Sequence, residues 1–154
     1  MVFFSSCKKD EPISSNSISQ GSESFPPGWQ SFTSSVLSPT GIAIDNTDNI
    51  WFYNFHQLNK MSGGTITDFS AAVTSNLVSS AIISSLAFDN SNSLWIAIKN
   101  QYDDSSFIGL MKYDGTSYQT FNMLNSGIHS NKVVNVAIDP MDVKWLGTQQ
   151  SCKI

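Results

Sequence analysis

From residue 41 onward the chain alternates short apolar runs with clusters of Asn, Ser, Asp and Gly. In Ile42-Ala43-Ile44 the two Ile face one way and the Ala the other, the two-residue period of a strand. No segment sustains a 3.6-residue apolar period. Between residues 83 and 121 the pattern predicts four strands: Ile83–Asp89, Ser93–Ile98, Gly109–Tyr113 and Ser117–Phe121. Asn and Ser at 90–93 make the first turn. Asp114-Gly115 makes a tight hairpin turn, because Gly tolerates positive φ. The stretch Ala71–Ser85 has room for a short helical turn, but Val and Ile crowd it. It reads as a long connection, with Ile82–Leu86 leading into the next strand.

The same pattern occurs three times without gaps, as GIAIDNTDNIW (41–51), SLAFDNSNSLW (85–95) and NVAIDPMDVKW (135–145). Each copy runs apolar, Ala, apolar, Asp, and places a Trp six residues after the Asp. The pairs are Asp45 with Trp51, Asp89 with Trp95, and Asp139 with Trp145. A second motif, LxKxxGxxxxxF, lies between them. It relates Leu58, Lys60, Gly63 and Phe69 to Leu110, Lys112, Gly115 and Phe121. An echo of its last strand stands in GWQSF (28–32).

The Trp residues are 44 and then 50 residues apart, the spacing of propeller blades. The fold class expected is therefore all-β: a partial β-propeller of about two complete four-stranded blades plus the start of a third. Both faces of such a blade pack on neighbours, so an apolar residue with a small Ala opposite suits sheet-on-sheet stacking. The recurring Trp would fill the gap between blades. In the third copy, Pro140 suits the first corner of a type I turn.

The N-terminus reads differently. An apolar patch, Val2-Phe3-Phe4, precedes Ser5-Ser6 and Cys7, and then Lys8-Lys9-Asp10-Glu11. This resembles the end of a bacterial lipoprotein signal peptide of the Bacteroidetes type, in which the Cys thiol is acylated. The resemblance implies lipidation at Cys7 and an extracytoplasmic place on the outer membrane or cell surface, held by acyl chains that do not span the bilayer. The apolar core is only three residues, against about 7–15 in a full signal peptide, so the segment reads as a remnant. Residues 13–24, half of them Ser, make a flexible tether. The expected organisation is a signal remnant over 1–7, a Ser-rich tether over 8–27 and the partial propeller over 28–154.

Composition narrows the function classes. Only 13% of the residues are charged and the net charge is −4, with the basic residues scattered apart from Lys8-Lys9. That disfavours nucleic acid, whose phosphates need a clustered basic surface. Cys7 and Cys152 lie near opposite ends and form no metal-ligand spacing. His56 and His129 fall in loops with no orienting partner visible from spacing. Asp45, Asp48 and Asn49 look faintly like a calcium loop, but Trp51 stands where an oxygen cage needs its last carboxylate. Asp and Asn there fit turn stabilisation better. Asp103-Asp104 reads as a solvated loop. Of the aromatics, Tyr53, Phe55, Tyr102, Phe107 and Tyr118 are candidates for a ligand-binding face, with core packing the default. No catalytic residue, cofactor or metal ligand is expected.

IAIDNTDNIWF followed by LNKMSGGTITDF, and LAFDNSNSLWIAI followed by GLMKYDGTSYQTF, are similar to two-component regulator propeller repeats. In those, an apolar-x-x-D-x-x-G-x-x-W strand pair precedes G-L-x-K/R-Y-D-G. The resemblance covers about residues 28–149 and implies an extracytoplasmic propeller, either the sensor of a regulator or part of a secreted lipoprotein. The streptogramin lyase type of propeller is the runner-up, through IWF and GTITDF. That enzyme needs a His-based site and a divalent metal, and neither His56 nor His129 matches it.

Two and a half blades cannot close a ring, and open blade faces need neighbours or caps. The expectation is a fragment of a longer protein, or an oligomer that completes the ring. The functional expectation is a non-enzymatic surface lipoprotein that binds an unidentified ligand or protein. The alternatives are a lyase-like fragment and a regulator's sensor fragment.

Overall fold

The computed structural model describes residues 38–75, 81–100 and 108–149, together with two short strands at 2–4 and 30–32. The chain divides into two compact units, Met1–Pro39 and Thr40–Ile154. In the first unit, β1 (Val2–Phe4) pairs in parallel with β2 (Gln30–Phe32). Cys7, the Ser-rich segment, Tyr102, Asp103-Asp104, Phe107 and Cys152 lie outside the described residues.

The described residues of the second unit form three antiparallel sheets in chain order. The first contains β3 (Gly41–Ile44), β4 (Ile50–Tyr53), β5 (Leu58–Ser62) and β6 (Thr65–Asp68). The second contains β7 (Ala81–Phe88), β8 (Leu94–Asn100), β9 (Leu110–Tyr113) and β10 (Tyr118–Phe121). The third contains β11 (Val133–Ile138) and β12 (Lys144–Thr148). The first two are four-stranded meanders with each strand beside its sequence neighbour, so the fold is all-β and partial-propeller-like. One turn of helix, α1 (Ser70–Thr74), follows the first sheet. It begins where Asp68 Oδ1 accepts the Ser70 N–H at 2.7 Å, and it buries Val73. The next strand then starts at Ala81, two residues before the position expected from the alternation.

Register explains the repeat. Ala43, Ala87 and Ala137 lie directly across from Trp51, Trp95 and Trp145. A methyl group opposite an indole leaves the ring room to lie along the sheet. Each of the three hairpins turns the same way. Asp48, Asn92 and Asp142, three residues after each Asp, have φ of 61°, 61° and 68°. The N–H of each bonds back to the Asp carbonyl. This is a type I turn closed by a left-handed residue, with Pro140 at the first corner of the third copy. The outer hairpins turn at Gly63 (φ 54°) and Gly115 (φ 100°), as Gly permits.

Two cores hold the sheets face to face. Alternation along β8 sends Leu94, Ile96 and Ile98 to the first, with Trp51, Tyr53, Leu58, Ile83 and Met111. It sends Trp95 and Ala97 to the second, with Leu110, Val133 and Val136. Burying each Leu, Ile or Val side chain stabilises by roughly 1.5–3 kcal/mol, so this double-faced strand anchors the stack. The innermost strands carry a matching irregularity, between Ile83 and Ser85 in β7 and between Val133 and Asn135 in β11. At the first bulge, Ser84 Oγ donates to the Val133 carbonyl of the next sheet at 2.7 Å. The Ser84 carbonyl accepts the Tyr53 hydroxyl of the previous sheet at 2.8 Å. Such bulges bend a strand and re-aim its polar groups.

The expectation that both faces of each blade are covered meets a departure at β3 alone. Ile42 and Ile44 are 48% and 59% exposed, while Phe52, Asn59 and Met61, on the same face of β4 and β5, are buried. Among those residues no helix is long and apolar enough to cross a membrane.

Candidate functional site

The most highly organised polar feature is the Asp of each repeat. In the first sheet, β3 delivers Asp45 to the hairpin turn, where Oδ1 accepts the N–H groups of Thr47 and Asn49, both at 3.0 Å. The Thr47 hydroxyl adds a bond at 2.8 Å and the Asn49 amide reaches both oxygens. Oδ2 accepts Trp51 Nε1–H at 3.0 Å. Lys60, on β5 directly across from Trp51, brings its Nζ to 3.6 Å from Oδ2 and 5.3 Å from the indole centroid.

The second sheet repeats this. Asp89 accepts from Ser91 N at 3.0 Å, Ser93 N at 2.8 Å and Trp95 Nε1 at 2.9 Å. Lys112 sits 3.7 Å from Oδ2 and 5.5 Å from the Trp95 ring. The third sheet has the first half of the arrangement. Asp139 accepts from Met141 N, Val143 N and Trp145 Nε1 at 2.9, 3.0 and 3.0 Å.

Burial pushes the Asp45 and Asp89 carboxyls up, but the donors prevail. The Trp and Asn49 bonds hold Asp45, and the Trp95, Ser93 and Lys112 interactions hold Asp89, below the usual range. At Asp139 the Trp145 indole and the Val143 N–H lower the carboxyl in the same direction. A carboxylate of low basicity whose oxygens already accept several donors is a poor general base. These are positioning groups that lock the turn, the indole and the next strand together.

The sequence marked Asp and Trp by repetition but not the bond between them, and it left Lys60 and Lys112 as motif letters. The Leu-x-Lys motif held a usable signal. The Lys is the third residue of the strand after the Trp in both sheets, and the antiparallel ladder sets it opposite the indole. A second feature links one repeat to the next. Asn46 N donates to Asn92 Oδ1 at 2.7 Å, and Asn90 N donates to Asp142 Oδ1 at 3.1 Å. The Asn90 amide also reaches the Pro140 carbonyl at 3.2 Å. Left-handed residues at the hairpin tips therefore form a ladder between sheets.

The remaining candidates are dispersed. His56 is exposed between β4 and β5, and His129 is exposed in the segment before β11. Asp48 is exposed at the hairpin tip and reaches no cage of carboxylates. Among the described residues no group of three or more His, Cys, Asp or Glu is placed to hold a metal. Tyr53 is buried and bonded, while Tyr118 stacks on Tyr113 at 4.4 Å and burial raises its hydroxyl to about 12. Phe55 is exposed.

No protein-family model and no curated protein matches the sequence. Solved structures do match the fold, two extracellular domains among them. One is the extracellular domain of a one-component system, BT4673, from B. thetaiotaomicron. It is 24% identical with a TM-score of 0.55, over 75% of this chain and 15% of that one. The other is the extracellular domain of BT4673 described as a hybrid two-component system. It is 24% identical with a TM-score of 0.52, over 73% of this chain and 15% of that one. The chain thus spans about 15% of the length of these structures, and the likeness is one of fold.

Proposed function

We propose that the chain is a non-enzymatic, extracytoplasmic binding protein whose blade-like sheets are held at a membrane surface by acylation of Cys7. In this reading residues 1–7 are a signal remnant, 8–27 a tether and 28–154 the binding array, and further blades or copies complete the ring. The observation that carries the non-enzymatic part is the use of Asp45, Asp89 and Asp139. The most conspicuous acidic groups of the domain are committed to indole and backbone donors. The likeness to extracellular domains supports the extracytoplasmic part.

The test is the intact mass of the protein from the membrane fraction of its host, before and after mild base to remove ester-linked chains. A mass increase of two or three acyl chains that disappears in a Cys7→Ala variant supports the anchor. An unmodified mass in the soluble fraction sinks it. A second reading, a sensor segment of a signalling protein, is favoured by the description of the two matching structures. It expects ligand-dependent signalling when the chain replaces the matching segment of such a sensor.

A further inference from the structure

The stacked sheets have two unlike ends. One end carries the Asp hairpins and the turns at Gly63 and Gly115, aligned by the tip bonds from Asn46 to Asn92 and from Asn90 to Asp142. Asp45, Asp48, Asp89, Asp114, Asp139 and Asp142 all stand there, and Lys60, Lys112 and Lys144 are spent there in ion pairs. The opposite end carries the turn between β4 and β5, α1, and the link from β10 to β11. Among the described residues Asp68 is its one carboxylate, and Lys99 and Lys132 lie toward it.

The link from β10 to β11 is closed on itself. Every backbone N–H from Asn122 to Ser126 already has an acceptor. Asn125 Oδ1 accepts that of Asn122 at 2.8 Å, Asn131 Oδ1 that of Met123 at 2.9 Å, and Asn122 Oδ1 that of Leu124 at 2.8 Å. The Asn122 carbonyl accepts those of Asn125 and Ser126 at 3.2 and 3.1 Å. Ile128 seats the link on the second sheet, so closely that a Cβ on Gly109 would come within 2.8 Å of it. At the tip Met123 and Leu124 are 52% and 85% exposed. No carboxylate occurs in the chain between Asp114 and Asp139.

We propose that this end rests on a lipid bilayer, with Met123 and Leu124 inserted at its surface. A backbone donor that enters hydrocarbon must bring its acceptor with it, and the N–H groups of this tip do. The two apolar side chains supply the pull, lysines on this end favour anionic headgroups, and the carboxylates of the other end stay in water. A protein partner fits less well, because protein interfaces are anchored by Trp, Tyr and Arg, which the tip lacks. One weak membrane signal holds a protein only reversibly, and two together hold it firmly. The inference rests on the reading of a protein held at a membrane surface, and adds to the acyl chain a second contact made by the folded domain.

The test uses the full chain with Cys7→Ala, so that no acyl chain contributes, and vesicles of phosphatidylethanolamine and phosphatidylglycerol. The readout is the fraction that sediments with lipid. Saturable binding is expected. Leu124→Ser should weaken it about tenfold. Met141→Ser, at an 82% exposed position on the carboxylate end, should leave it within about twofold. Thermal unfolding checks that both variants keep the fold. No binding at about 1 mM lipid overturns the proposal, as does a Leu124→Ser chain that binds like its parent. Equal losses in the two Ser variants overturn it too, since the tip would then have no special part. A lipid-free dimer that Leu124→Ser abolishes would make a second copy the occupant. The anchor is judged separately by the intact mass, and an unmodified Cys7 sinks the anchor without touching the tip.

Discussion

Trp95 and Trp145 occupy the same place in the repeat, face the same Ala across the same hairpin and donate to the same Asp. One is 9% exposed and the other 63%. Trp95 is stacked by Phe121 at 5.3 Å and covered by Lys112 of its own sheet and Lys144 of the next. Trp145 has the bond without the cover. The Asp–Trp contact is therefore local, fixed by a turn and a register, whereas burial comes from strands far away in the chain. The sharpest way to break the comparison is truncation of each indole. Trp95→Ala should lose about 3–5 kcal/mol, from lost burial plus a cavity between two sheets. Trp145→Ala should stay within about 1 kcal/mol, since it removes an already hydrated ring. Urea unfolding followed by circular dichroism measures both, and equal losses would mean that Trp145 is covered in solution.

The carboxylates extend the contrast at a smaller scale. Asp89→Asn turns an amide N–H toward the Trp95 indole and Lys112, leaving buried donors facing donors. A loss of about 2 kcal/mol is expected at neutral pH. Asp139→Asn should cost less, because the exposed Trp145 N–H can turn to water. The Asp89 carboxyl is lowered on folding from 3.8, so it binds its proton more readily when unfolded. Its contribution is complete above that value and is lost as pH falls through the folded value. Between about pH 5 and pH 2 the urea midpoint of the native chain should fall more steeply than that of Asp89→Asn. Parallel curves would remove Asp89 from the acid response.

How much of this was legible follows from where each interaction is encoded. The strands were readable because apolar residues alternate within a few positions. The hairpins were readable because Asp, Asn and Gly mark their turns. The pairing of Trp51 with Lys60 and of Trp95 with Lys112 was legible only in part. It needs the register of a third strand, which an antiparallel ladder fixes but a single motif does not display. The exposure of Ile42 and Ile44 was not legible at all. Alternation tells which face a side chain takes, not how buried each strand of that face is, and Phe52 beside Ile42 is buried. The ladder from Asn46 to Asn92 escaped for another reason. It joins residues 46 apart through an acceptor whose position depends on a positive φ.

That ladder sets up the finest comparison, between the first hairpin and the second. Asp48 and Asn92 share a left-handed backbone that strains any side chain with a Cβ, Asp and Asn least of all. Asn92 has a use there, since its Oδ1 accepts the Asn46 N–H of the previous sheet. Asp48 is exposed at the equivalent tip of the first sheet, which has no earlier repeat among the described residues to receive. Replacing each by Gly relieves the same backbone strain but removes a bond only at 92. Asp48→Gly should therefore stabilise the chain by about 0.5–1 kcal/mol. Asn92→Gly should come out near neutral or slightly destabilising, because a lost interstrand bond of about 1 kcal/mol offsets the same relief. Thermal unfolding of the two variants side by side measures the difference. If Asp48→Gly destabilises instead, the Asp48 carboxylate is itself receiving a donor, and the first sheet has a neighbour that extends the ladder.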